Sequence, residues 1–521
     1  MSLTEKLLIT CGMSGLFFGI IIAILYLTYR QQTTFTDYAV GGRSFSAWYI
    51  AMSYANSWWP GATYIAYFGL AAGSGVVGFY ALSYSLVGVA TMYFMARRAW
   101  NWGQRFNLRT QPDMIGLRYG SKAAGTIASV IGVISLFPWI VLAMQAMGTL
   151  LSFMTYGELG TTAALLVGMA VIVIRQYWTV RMGMRGLVIT DLIQGIVAYL
   201  VAAVVLLLIL VFYFDGFGAM HKLNASMFNF PGDGPGVYGV WYFPAIIFTG
   251  IVGSLCWPTS YQRIYTADSV RSVKLGTLLN IPISGIFYTM LTLVAMSAAT
   301  LPQVVKAPQD GFFLTMEAAG GTWLLALGCL IVLAASMGWI DGCVQVCGTQ
   351  VANDIVGKHR ELSDRQLTVL AKVSMVVFLI LGVVVAYATF NYDKLINLAI
   401  MAYQGIIQLA VPMFAGLFWR RGTRNGAIAG MLSGFVVALI LTAIYPDHVS
   451  WLGGATAGIP ALALNLVVFV AVSLLQPQSD EEKARVDTLF AQGDFSLRHV
   501  ERPAAVAGPE VLRPLPGEIG A

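Results

Sequence analysis

Apolar and polar positions alternate along this chain in long blocks. Thirteen apolar stretches cover about 7–29, 46–71, 75–96, 123–154, 158–175, 187–213, 240–262, 274–302, 322–350, 368–390, 396–418, 426–444 and 457–475. A bilayer-crossing helix needs roughly 20 such residues. The pattern predicts an all-α polytopic membrane protein of about thirteen transmembrane helices. Two stretches carry a break: Ser57-Trp58-Trp59-Pro60-Gly61 and Cys256-Trp257-Pro258-Thr259-Ser260. Proline has no N–H, and its ring clashes with the carbonyl four residues back. Carbonyls freed in hydrocarbon are costly unless something satisfies them. One such proline reads as a kink. Two, at matching places in two halves of a chain, point to a transporter's binding site.

The stretches divide as one, five, five and two. Five is odd, so the two groups of five run in opposite directions, each starting with a broken span. That is an inverted repeat with a site at the midplane. The expected parts are an extra helix and first cytoplasmic loop over 1–45, repeats over 46–213 and 240–418, two final helices over 419–475, and a cytoplasmic tail over 476–521. Within the tail, 479–491 reads as a short polar helix and Pro503 to Ala521 as disordered. The external loop 214–239, with Phe230-Pro231-Gly232-Asp233-Gly234-Pro235, reads as a connector, with a gate cover as the alternative.

Charge fixes the orientation. Loops 30–45, 97–122, 176–186, 263–273, 351–367 and 419–425 hold arginines and lysines such as Arg97, Arg98, Arg181, Arg263, Lys358 and Arg420. The opposite side has only Lys6, Lys222, Lys306 and Lys394. By the positive-inside rule the N-terminus is outside and the C-terminus inside. This bias accounts for the net charge of +6 and leaves nucleic-acid binding without support. Only 10% of residues are charged and mean hydropathy is +0.74, against about 25% charged in soluble domains. The partners are therefore a lipid bilayer, a small solute and an ion, and the place a bacterial inner membrane. Cys343 and Cys347 stand four apart without a histidine to complete a metal set, so they read as small buried residues.

Few ionisable groups fall inside spans. Asp191 lies near a cytoplasmic end and Asp341 lies deeper. Both are candidates to carry the coupling ion, with a hydrogen-bonded anchor as the alternative for each. Asp341 has no evident cationic partner in mid-span, and no lysine or arginine is expected deep in the membrane. A solute would then be held by half-helix ends and neutral donors. Near the breaks these are Ser57, Thr63, Thr259, Ser260 and Tyr261; on other spans they are Gln145, Gln404 and Gln408. Trp58, Trp59 and Trp257 can wall an apolar part of the solute. There is no phosphate loop, nucleophile-base pairing or metal motif, which argues against an enzyme or an ATP-driven pump and for a secondary transporter.

These pieces, taken in order, resemble the sodium:solute symporter family. The resemblance rests on Asp37-Tyr38-Ala39-Val40-Gly41-Gly42-Arg43-Ser44, on Gly183 to Gln194 with Thr190-Asp191, on Tyr261-Gln262-Arg263 with Thr266-Ala267, and on Gly416-Leu417-Phe418-Trp419-Arg420-Arg421 before Gly426-Ala427-Ile428-Ala429-Gly430. It implies a LeuT-like five-plus-five fold and alternating access driven by an ion gradient. Leu117-Arg118-Tyr119-Gly120-Ser121 and Gln404 to Pro412 look like the bacterial monocarboxylate permeases. The resemblance also implies a sodium site on the carbonyls of Asn56, Trp59 and Ala335. Sodium-dependent members add two adjacent hydroxyl residues, and here those positions are Gly338 and Trp339. A proton, carried by Asp341 or Asp191, is then the rival coupling ion. The sequence is read as a cation-coupled importer of a small organic solute, possibly a short-chain monocarboxylate. A membrane-embedded nutrient sensor and a symporter of another solute, such as an amino acid, are the alternatives.

Overall fold

The structure is a computed structural model and describes residues 1–30, 32–230, 239–390 and 395–494. Residues 231–235 of the external loop, Lys394 and the stretch Pro503 to Ala521 lie outside the described residues.

Every regular element among the described residues is helical. The order is α1 (Leu3–Leu27), α2 (Ala47–Asn56), α3 (Ala66–Ser74), α4 (Tyr80–Arg105), α5 (Gln111–Tyr119), α6 (Lys122–Met154), α7 (Thr161–Met182), α8 (Met184–Tyr213), α9 (Tyr242–Ser254), α10 (Pro258–Thr266), α11 (Val270–Ala298), α12 (Gly311–Gln350), α13 (Asp364–Ala388), α14 (Leu395–Ile406), α15 (Ala410–Phe418), α16 (Arg424–Ile444), α17 (Gly458–Leu475) and α18 (Asp480–Asp494). Twelve helical stretches among the described residues are long and apolar enough to cross a membrane. One of them, Gly61–Arg105, joins the second half of the first broken span to the next span.

Both breaks are present. α2 stops at Asn56, Pro60 is extended (φ −71°, ψ 164°), and the chain resumes as a 3-10 turn over Gly61–Tyr64 before α3. α9 stops at Ser254, and Pro258 opens α10 as its first residue, where a missing N–H costs nothing. Gly61 is required by a close approach: a Cβ there would sit 2.0 Å from Ser336 Oγ and 2.8 Å from the Val332 carbonyl of α12. The first broken span is thus pressed against α12 at its break.

α12 has its own interruption, at Gly320 and Gly321, where Gly321 takes φ 60°, so the long straight run begins at Thr322 as the sequence suggests. Two spans extend further than expected. α7 runs on past Arg175 to Met182, and α10 carries Arg263 inside the helix. Gln176 and Thr179 of the α7 extension and Arg263 of α10 are therefore helical and buried rather than in loops, while Tyr177 and Arg181 face outward.

On the cytoplasmic side the entry to α2 pairs with the exit from α10. Phe45 N–H donates to the Thr266 carbonyl (3.3 Å), and Asp268 N–H donates to the Phe45 carbonyl (3.1 Å), forming a short parallel bridge. The polar tail helix expected at 479–491 is α18, and it docks rather than floats. Leu489 and Phe490 are buried. Trp102 Nε1 donates to the Leu489 carbonyl and Asn101 Nδ2 to the Gly493 carbonyl, both at 2.8 Å. The Phe490 ring lies under the guanidinium groups of Arg98 (4.8 Å) and Arg420 (5.0 Å).

Candidate functional site

The bare carbonyls left by the breaks are met by side chains from other helices. Tyr199 of α8 donates to the Trp59 carbonyl (2.6 Å) and Thr259 of α10 to the Ser57 carbonyl (3.2 Å). Gln111 of α5 donates to the Cys256 carbonyl (2.9 Å). This satisfies groups that hydrocarbon could not and fixes both breaks to the rest of the bundle.

A cavity of about 60 Å³ opens beside the first break. Its wall includes Trp58, Pro60, Thr63, Tyr67, Trp139 and Gln404. No charged side chain lines it among the described residues. Of the residues expected to bind solute, Trp58, Thr63 and Gln404 reach this wall. Trp257 stands behind it, packed on Trp139 and Tyr403 with ring centroids 6.2 and 5.1 Å apart. Ser57, Thr259, Ser260 and Tyr261 are buried at the contact of the two broken spans and do not line the cavity. Gln145 and Gln408 are elsewhere. Gln145 donates to Thr389 and the Ala386 carbonyl on and beside α13, while Gln408 donates to the Gly458 carbonyl. Sequence reasoning missed the tyrosines Tyr67, Tyr80, Tyr84, Tyr288 and Tyr403 that line the same wall. Tyr80 and Tyr84, one turn apart on α4, were the available signal; the convergence of the others is tertiary.

The expectation that Asp341 has no cationic partner is wrong, and two arginines lie inside the bundle. Arg175 and Arg263 are fully buried. Arg175 pairs with Asp341 at 2.6 Å, with both side chains 1% exposed. Arg263 pairs with Asp191 at 3.5 Å. Asp341 Oδ1 also accepts from Gln176 Nε2 (2.7 Å) and Thr179 Oγ1 (2.9 Å). Asp191 Oδ2 accepts from Ser53 Oγ (2.6 Å), and its Oδ1 and main-chain carbonyl accept from Asn56 Nδ2 (3.2 and 3.0 Å). The two pairs are linked, because Arg175 also donates to Thr190, the neighbour of Asp191 (3.1 Å). Arg175 closes the expected span 158–175 and Arg263 lies in the extension of α10, which is why a hydropathy reading assigns them to a span end and a loop. Two carboxylates and two guanidinium groups leave the network neutral, and a buried pair broken on one side is strongly destabilising.

The sodium position implied by family resemblance lacks the pair of hydroxyl side chains. Na⁺ is a hard cation that wants oxygen donors. Gly338 and Trp339 supply no side-chain oxygen, while the Trp59 carbonyl accepts from Tyr199 and keeps a second lone pair. A Cβ at Gly338 would lie 2.8 Å from Asn56 Cγ, so the Asn56 amide fills the space that a hydroxyl side chain would need. The Asn56 Nδ2 donates to Asp191, while its buried Oδ1 accepts no hydrogen bond among the described residues. Ala335 is buried on α12.

The family model "Sodium:solute symporter family" matches residues 38–434. The protein named Uncharacterized symporter YhjB of Bacillus subtilis is 23% identical over 489 residues, covering 88% of this chain and 96% of its own. The Monocarboxylic acid transporter of Corynebacterium glutamicum is 23% identical and covers 80% of each chain. A Sodium/proline symporter of Staphylococcus aureus is 24% identical, covering 88% of this chain and 91% of its own. The substrate-bound, outward-open structure of a Na⁺-coupled sialic acid symporter superposes with a TM-score of 0.74 at 14% identity, covering 90% of this chain and 99% of that one. The fold is therefore the LeuT-like one, and the protein is a secondary transporter rather than an enzyme. With its two broken spans, its cavity at the break and a family match over most of its length, the chain belongs to the sodium:solute symporter family, whose members move a solute together with a cation.

Proposed function

We propose that this symporter imports a short-chain monocarboxylate at the cavity beside Pro60, and that the coupling cation is a proton. The cavity itself carries the first half of the reading. A water-sized group needs roughly 10–15 Å³ of such space, so 60 Å³ admits about four to six of them. That is the size of a carboxylic acid of two to four carbons. Its aromatic wall suits a short alkyl chain, and the Trp139 indole N–H, which has no acceptor, and the Thr63 hydroxyl suit a carboxylate. An amino acid would also need acceptors for its ammonium. Hydroxyls such as that of Thr63 can accept from it, but among the described residues no carboxylate lines the wall to offset its charge. The relative named for monocarboxylic acids agrees with this better than the one named for proline. The repeats take the spans 46–213 and 240–418, and the cavity lies between their broken helices.

The proton reading rests on the missing hydroxyl pair, since Gly338 and Trp339 offer sodium no side-chain oxygen where Asn56, Trp59 and Ala335 offer only carbonyls. Asp341 and Asp191 remain the buried carboxylates able to take a proton, each on condition that its arginine pair opens during the cycle. The test is uptake of labelled acetate, propionate and pyruvate into proteoliposomes holding this protein alone. Accumulation should follow an inward proton gradient and persist when choline replaces sodium. Accumulation of proline but of no such acid would refute the solute; uptake driven only by a sodium gradient at constant pH would refute the ion.

A further inference from the structure

We propose that the crevice between α7 and α13 binds one anionic phospholipid of the cytoplasmic leaflet. The crevice has a cavity volume of about 570 Å³, far larger than the solute cavity, and lies on the outer surface of the bundle. Its walls are aliphatic, from Val173 on α7 to Leu379, Ile380 and Val384 on α13. Its cytoplasmic end alone is basic, with Arg181 and Lys372.

The two cations stand at one level. Lys372 Nζ lies 5.4 Å over the Tyr38 ring, and Tyr38 donates its hydroxyl hydrogen to the Val180 carbonyl, next to Arg181 (2.9 Å). Neither makes an ion pair among the described residues. Arg181 instead covers the Tyr29 ring at 4.5 Å and donates to the Tyr177 hydroxyl at 3.1 Å. Aromatic contacts of this kind leave N–H donors open to an anion. A phosphate ester supplies the missing charge, and basic pockets between helices on the cytoplasmic side bind such headgroups.

The length of the crevice fits one acyl chain. Position 173 is eight residues from Arg181, and position 384 is twelve from Lys372. At 1.5 Å per residue these spans are about 12 and 18 Å, bracketing the roughly 15 Å of one hydrocarbon leaflet. The inner wall is Gln176, which donates to Asp341 at 2.7 Å. A bound lipid would therefore shield the α7–α13 side of the Arg175–Asp341 pair from water.

The full chain, purified in detergent, is titrated with phosphatidylglycerol or phosphatidylcholine and followed by native mass spectrometry and thermal unfolding. One phosphatidylglycerol per chain should be retained and raise the unfolding temperature. The pair R181Q/K372Q should weaken retention about thirtyfold, the factor that two cations near a membrane surface supply. Should that variant fail to fold, Val376→Trp decides, since it fills the crevice and keeps both cations; it too should lose the lipid. Equal retention of phosphatidylcholine, full retention by either variant, the same thermal shift from inorganic phosphate, or a dimer that excludes lipid from the crevice would each overturn the proposal.

Discussion

Replacing Asp341 by asparagine isolates the energetic role of the deep ion pair. The substitution keeps shape and leaves an acceptor for Gln176 and Thr179, but places an amide against Arg175, whose guanidinium lies 2.6 Å from Asp341 Oδ2 with both side chains 1% exposed. Arg175 would keep Thr179 and Thr190 as hydrogen-bond partners, both at 3.1 Å, but no counter-charge. Removing one member of such a pair costs about 3–5 kcal/mol, which is roughly a 100- to 4,000-fold change in the unfolding equilibrium. The double variant R175Q/D341N removes both charges and leaves two amides that can bond each other. It should recover at least half of the loss, and because R175Q alone also strands a charge, the two single losses should exceed the double loss by about 4 kcal/mol or more in a double-mutant cycle. Denaturant titration in detergent followed by tryptophan fluorescence measures all four proteins. An Asp341→Asn protein as stable as the parent, or additive losses in the cycle, would refute the view that these two charges neutralise each other. In proteoliposomes the same single variant should lose gradient-driven uptake while retaining solute exchange; unchanged pH-driven uptake would remove Asp341 as the proton carrier.

Gly338→Ser, which restores a hydroxyl at the position implied for sodium, should destabilise by about 1–3 kcal/mol because its Cβ meets Asn56 at 2.8 Å, and it should not make uptake sodium-dependent. On the cytoplasmic side, burial pushes the Asp113 carboxyl up, but Lys358, 2.6 Å away, and the Arg109 N–H outweigh it and hold it below the usual carboxylate range. A depressed carboxylate contributes stability above its unfolded value of about 3.9 and loses it as pH falls through the lower folded value. With Lys358→Met, burial is left with one fewer opponent, so the variant should be less stable than the parent near neutral pH and lose less further stability as pH falls from about 6 to 3, as read by denaturant titration with fluorescence. Phe490→Ala should cost about 3 kcal/mol of docking and expose α18 to limited proteolysis while the bundle remains resistant.

The parts of this architecture fixed by local chemistry were legible in the chain. Pro60 and Pro258 cannot continue a ladder of hydrogen bonds, and a helix does end before each of them. The polar stretch at 479–491 reads as a helix for the same local reasons. Convergence is a different matter. Arg175 and Arg263 look like span ends because hydropathy has no record of which neighbours enclose them. Gln145 and Gln408 look like solute ligands by type, yet each is spent on a helix contact. The tyrosine wall of the cavity comes from four helices, and nothing in the spacing of Tyr67, Tyr288 and Tyr403 announces that they meet.

The short bridge between Phe45 and Ala267 bears on how an inward opening could be detected. Its two contacts are main chain to main chain, so they survive replacement of either residue by almost any other. Side-chain scanning is poorly suited to report on this contact, whose hydrogen bonds involve no side chain. Reporters that sense backbone protection, such as amide hydrogen exchange at positions 45 and 268, are the ones suited to see the inner door move.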